Sequence, residues 1–101
     1  MIVVNGVLES TEADIEAMKS AISAMENASR EESGCFDYTF SVEISNTKII
    51  RITECWESIE ALQAHFITPH MAVFQEAIAA HPPVSMDVKF FEAEVMPSPL
   101  G

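Results

Sequence analysis

Apolar positions run almost unbroken through "MIVVNGVLES" before the polar break at Ser10-Thr11, a pattern that predicts a buried strand over roughly residues 2–8. Behind it Ile15, Met18, Ile22 and Met25 recur at helical spacing, while Glu12, Glu16, Lys19 and Glu26 fall on the opposite face. Thr11 and Asp14 resemble a capping pair at the start of this long amphipathic helix, and "EESG" around Gly34 is expected to end it. Residues 35–42, "CFDYTFSV", alternate strictly, placing Phe36, Tyr38, Phe40 and Val42 on one side of a strand and Asp37, Thr39 and Ser41 on the other. After the turn-prone Ser45-Asn46, the β-branched run "TKIIRITECW" predicts the second arm of a hairpin.

Ile59, Leu62 and Phe66 then repeat at helical spacing from a start near Ser58. Pro69 must stop that helix, because it offers no N–H to the carbonyl of His65 and disfavours helical geometry at Thr68. The same two residues can open a new helix, with Thr68 as its cap and Pro69 at its first position. Met71, Phe74 and Ile78 form the new apolar face, "HPP" at 81–83 stops it, and residues 85–95 read as a last strand. The order βαββαβ predicts an α+β, ferredoxin-like fold, an antiparallel sheet covered on one face by helices. Ile49 with Ile50, and Phe90 with Phe91, put apolar groups on both faces of that sheet, where a half-solvated sheet alternates cleanly. A second sheet is therefore expected over the open face, supplied by another copy of the chain. Residues 1–101 read as one domain, with 96–101 as a flexible tail.

Charge narrows the partners. Sixteen acids against 5 bases give a formal net charge of -11, which repels phosphate backbones and anionic lipid surfaces, so neither nucleic acid nor membrane is expected. The sequence has no basic segment ahead of an apolar run and no apolar stretch near the roughly 18 residues that span a bilayer, which predicts a cytoplasmic protein. Cys35 and Cys55 sit in strand-like runs and are expected as reduced, small hydrophobes. Glycine-rich phosphate loops, H-E-x-x-H and G-x-S-x-G are all absent from the sequence, so no cofactor, metal or hydrolytic triad is expected.

The remaining chemistry centres on "WESIEALQAHFITPH". His65 and His70 as metal ligands would need a third protein ligand and a common orientation, and the break between them fixes no shared face. As a structural residue, His65 would lie on a helix surface and His70 would shape the junction. As a functional one, His65 keeps apolar company in Trp56, Phe66, Met71 and Phe74, and imidazole is the side chain whose ordinary titration range suits a general base. Asn5 in an apolar strand either bonds structurally or points into a cavity that needs a polar contact. Trp56 fits a core as well as a site, and Arg51 is expected to pair with an acid of a strand or of a second copy.

Taken together, "EESGCFDYTF", "ECWESIEALQAHFITPHMAVFQEAI" and the element order resemble the antibiotic biosynthesis monooxygenase (ABM) domain family, especially its quinol-monooxygenase-like members. The resemblance implies a homodimeric α+β barrel of face-to-face sheets. It further implies oxidation of a small aromatic, quinol-like or phenolic substrate by O2 without metal, flavin or haem. It places His65 as base and Asn5 as a hydrogen-bonding partner for a substrate oxygen, with Trp56, Phe74 and Met71 as pocket walls and His70 as a further contact. Haem-degrading relatives differ: His65 stands where they are similar in carrying a tryptophan, and Gln75 stands where they carry a histidine. Ile52 replaces the asparagine that the resemblance would place in polyketide-tailoring relatives. Sugar-phosphate isomerases of the same fold share Thr68-Pro69-His70, but this chain has few bases to hold a phosphate. A non-catalytic dimeric module that binds a small ligand is the reading from another class.

Overall fold

In the computed structural model, which describes residues 1–101, the elements follow the order β1 (Ile2–Glu9), α1 (Glu12–Arg30), β2 (Cys35–Val42), β3 (Ile49–Trp56), α2 (Ile59–Phe66), α3 (Pro69–Ala80) and β4 (Ser85–Glu92). The four strands form one antiparallel sheet in the order β2-β3-β1-β4, the arrangement of a ferredoxin-like α+β fold. Register fixes which residues share a face. Tyr38, Glu54, Val4 and Phe90 line up in one row across the helix-facing side, and Thr39, Thr53, Asn5 and Lys89 form the adjacent row on the open side.

Each helix begins where a hydroxyl takes up an otherwise orphaned backbone N–H. Thr11 Oγ1 accepts from Asp14 N at 3.1 Å, Ser58 Oγ from Ala61 N at 3.2 Å, and Thr68 Oγ1 from Met71 N at 3.2 Å. The first helix stops at Arg30, immediately before the Glu31–Gly34 stretch expected to end it. Residues 31–34 form a separate turn in which Gly34 adopts φ +82°. A Cβ at Gly34 would lie 2.8 Å from the Ala61 methyl, so both backbone conformation and space require glycine there. The Gly34 carbonyl also accepts from Glu57 N at 2.7 Å, tying the turn to the end of β3.

Strict alternation fails at one point in β2. A bulge between Cys35 and Asp37 shifts the register, and Phe36, expected on the core side, is 62% exposed. Beyond the bulge Tyr38 and Phe40 pack inward as expected. Helix α1 also covers the outer edge of β2. Glu26 Oε2 accepts from Phe40 N at 2.9 Å and Arg30 Nε donates to the Tyr38 carbonyl at 2.9 Å, satisfying groups that an edge strand would leave free. The main core gathers Val4, Met18, Met25, Tyr38, Trp56, Leu62 and Phe74, and a smaller cluster holds Leu8, Ile15 and Ile50. Strand β4 ends at Glu92, three residues earlier than the sequence pattern suggests. Both thiols are free, and Arg51 pairs with Glu43, an acid just beyond β2. No helix is long and apolar enough to cross a membrane.

Candidate functional site

At the end of the sheet where β3 runs into α2, one histidine is sealed into an aromatic cage. His65, on the last turn of α2, has 0% of its surface exposed, so it is no helix-surface residue. Its ring lies 4.7 Å from that of Trp56 and 5.2 Å from that of Tyr38, with Phe66 at 6.0 Å. Burying an imidazole is costly unless its nitrogens find partners. Glu32 supplies one, its Oε2 lying 2.6 Å from His65 Nδ1. The other nitrogen, Nε2, is buried without any hydrogen-bond partner. A carboxylate oxygen accepts, so Nδ1 is the donor, and in the neutral ring this leaves Nε2 with a lone pair.

The break at Pro69 brings His70 to the same carboxylate. On an uninterrupted helix two residues five positions apart point about 140° away from each other. Here the chain turns a corner at Ile67-Thr68, where Thr68 Oγ1 donates to the His65 carbonyl at 2.8 Å and caps α3. As a result His70 Nε2 lies 2.7 Å from Glu32 Oε2, with its side chain 23% exposed. The expectation that the helix break gives the two histidines no common orientation is therefore corrected, since the turn after α1 provides the acid on which both converge. Glu32, His65 and His70 also form the group of side chains that could hold a metal ion, their ligand atoms lying within 4.8 Å of one another.

A second buried acid lies on the inner face of β3. Glu54 Oε1 accepts from Trp56 Nε1 at 2.9 Å, a pairing allowed because residues two apart on a strand share a face. Desolvation pushes the Glu54 carboxyl above its ordinary range and Glu32 adds to this, while the Trp56 hydrogen bond works the other way. Burial likewise drives the Tyr38 hydroxyl upward, reinforced by Glu54. The Cys35 thiol is pushed up to about 11, first by burial and then by Glu32 and Glu54, which makes it a poor nucleophile at neutral pH.

Of the residues singled out from sequence, Trp56, His65 and His70 are brought together. Phe74 is buried deeper in the core, edge-on to Phe40 at 5.3 Å, and Met71 packs partly buried against the same cluster. Asn5 is exposed on the open face of the sheet, between Thr53 and Lys89, opposite to the side that holds His65. No single cavity joins them. The three clefts have volumes of about 500, 220 and 120 Å³, and none is lined by His65, Trp56 or Asn5. The middle one is bounded by Ile2, Ile59, Phe90, Phe91 and Glu92, beside β4. Sequence reasoning missed Glu32, which sits in an irregular turn with no periodicity to mark it. Glu54 had a legible signal in its spacing from Trp56.

Comparison with known proteins gives a consistent relationship. The fold matches a candidate antibiotic biosynthesis monooxygenase from Deinococcus radiodurans with a TM-score of 0.89 at 22% identity, covering 100% of both chains. It also matches a Bacteroides thetaiotaomicron protein of unknown function, described as a possible oxidoreductase, with a TM-score of 0.82 at 26% identity over 91% of this chain and 96% of that one. A candidate antibiotic biosynthesis monooxygenase from Nitrosomonas europaea superposes with a TM-score of 0.85 at 16% identity, covering 92% and 98% of the two chains. No protein of curated function matches the sequence. The sequence profile named "Antibiotic biosynthesis monooxygenase" matches residues 1–77, well over half of the chain, and the protein therefore belongs to the ABM family.

Proposed function

We propose that the chain is a cytoplasmic, cofactor-independent monooxygenase of the quinol-oxidising kind, acting as a homodimer on a small quinol or phenol with O2. The observation that carries this reading is the Glu32–His65 hydrogen bond, which leaves Nε2 bare and unpartnered inside an aromatic cage. A substrate hydroxyl donating to Nε2 loses its proton to the ring, and Glu32 stabilises the imidazolium that forms. The resulting phenolate is electron-rich enough to reduce O2, so the substrate supplies the electrons. One oxygen atom enters the ring and the other leaves as water: a hydroquinone plus O2 gives a hydroxyquinone plus H2O. His70 bonds the same Glu32 oxygen and is partly exposed, which offers the proton a route to solvent.

Because the His65 ring is buried, turnover on this reading requires the corner between α2 and α3 to open. The exposed side chains of Phe66 and Ile67 flank that corner. The open face of the sheet carries Val3, Val7, Ile49, Cys55 and Phe91 around its polar middle row, which supports a second copy packing there.

One observation favours a non-catalytic reading: the apolar cleft beside β4 lies away from His65, as a simple ligand-binding module would have it. Oxygen uptake with a panel of hydroquinones separates the two. The wild type should consume O2 above the uncatalysed rate, and His65→Ala should lower that rate by about 10²–10⁴. Uptake above the uncatalysed rate in neither protein leaves the binding module, and catalysed uptake that is unchanged in His65→Ala removes His65 as the base. Product formed under anaerobic conditions would point instead to an isomerase.

A further inference from the structure

We propose that Glu32, His65 and His70 constitute a binding site for a divalent first-row transition-metal ion such as Zn2+. Two imidazoles and one carboxylate are the donor set of open zinc sites and of iron sites with free coordination positions. Here the donors come from three separate segments, the turn after α1, the end of α2 and the start of α3, and their ligand atoms already lie within 4.8 Å of one another. The inference stands on this geometry and does not depend on the oxygenase reading.

The adjustment required falls on three side chains. Glu32 Oε2 now sits 2.6 Å from His65 Nδ1 and 2.7 Å from His70 Nε2, occupying the point where an ion would go. Metal–ligand bonds of about 2.0–2.1 Å in a tetrahedral shell set ligand atoms roughly 3.3 Å apart, so an ion at that point displaces the carboxylate oxygen by about one such bond length, with both imidazoles adjusting around it. Glu32 lies in a turn rather than in a helix or strand, and His70 is partly exposed, which gives the ion an entry path. The net charge of -11 raises the local concentration of cations. Arg30, the nearest basic residue in sequence to Glu32, is engaged with the Tyr38 carbonyl and Glu26.

Two consequences follow. His65 Nε2 has no outer partner to orient the ring and raise its basicity, so affinity should fall about 10–100-fold below that of sites that have one. Metal binding and the hydrogen-bonded dyad also exclude each other: an ion on Nδ1 moves the proton to Nε2 and removes its lone pair.

The test is calorimetric titration of chelator-treated protein with Zn2+, in the absence of any quinol, so its outcome is separate from that of the oxygen-uptake assay. The expected result is saturable uptake of one ion per chain, weakened at least about tenfold in both His70→Ala and Glu32→Gln. His81→Ala should leave binding unchanged, because His81 pairs with Asp14 elsewhere on the surface. Circular dichroism of each variant checks that its fold is intact, and a Co2+ absorption spectrum lost in His70→Ala gives a second readout on the same site. Absence of saturable uptake overturns the proposal, as does uptake that survives in folded His70→Ala and Glu32→Gln or disappears in His81→Ala.

Discussion

Val4 and Asn5 are neighbours in β1, yet one is sealed beneath the helices and the other points outward into a row of Thr39, Thr53 and Lys89. The helix-covered face is packed with large apolar groups and tolerates Glu54 and His65 by giving each a hydrogen-bond partner. The open face is polar along its middle and apolar around it. This contrast teaches that chemistry on one face cannot borrow a side chain from the other within one protomer. A substrate at His65 does not reach Asn5 of the same chain, so a catalytic part for Asn5 would require the second copy proposed above.

The comparison can be broken most forcefully at Trp56. Trp56→Ala should cost about 3–5 kcal/mol in denaturant unfolding, because it empties the centre of the covered face and leaves the Glu54 carboxyl without its donor. Glu54→Gln comes next and has a definite sign. The folded protein raises this carboxyl above its ordinary value of 4.5, so the native state holds the proton more tightly than the unfolded chain does. Stability from this group is therefore full below about 4.5 and is lost as pH rises through the raised native value. Glu54→Gln, whose amide oxygen still accepts from Trp56, should gain Tm relative to wild type at neutral pH and lose that advantage near pH 4. An advantage that does not depend on pH would count against a proton held at Glu54.

A smaller effect is expected at the corner between the helices. Thr68→Ala removes the cap of α3 and the bond to the His65 carbonyl, and should cost about 1 kcal/mol in thermal unfolding. The smallest belongs to Asn5. Asn5→Ala should change the stability of the isolated protomer by less than about 0.5 kcal/mol. A change in the association constant measured by sedimentation, with oxygen uptake at limiting protein concentration altered in parallel, would tie the two faces together through the dimer. A larger loss of protomer stability would show that the open face is less independent than its exposure implies.

Local rules made most of the architecture legible in the sequence. Thr11, Ser58 and Thr68 announced three helix starts because a capping hydroxyl acts within three residues of itself. Pro69 announced the corner for the same reason. Phe36 was misplaced because alternation assumes an unbroken register, and a bulge of one residue leaves no mark in a pattern of period two. At the site, Trp56 and His65 could be paired from their apolar surroundings. Glu32 could not, because it meets His65 and His70 across separations of 33 and 38 residues from within a turn. Asn5 was grouped with His65 although the two lie on opposite sides of the sheet, a distinction that depends on strand register and cannot be read from one strand alone.

The turn that delivers Glu32 hangs on a missing methyl. At Gly34 the chain passes so close to Ala61 that a single extra carbon would push the loop off the second helix. The acid that anchors both imidazoles would be carried away with it, and Gly34→Ala should silence either use of the trio while leaving every one of its donor atoms in the sequence.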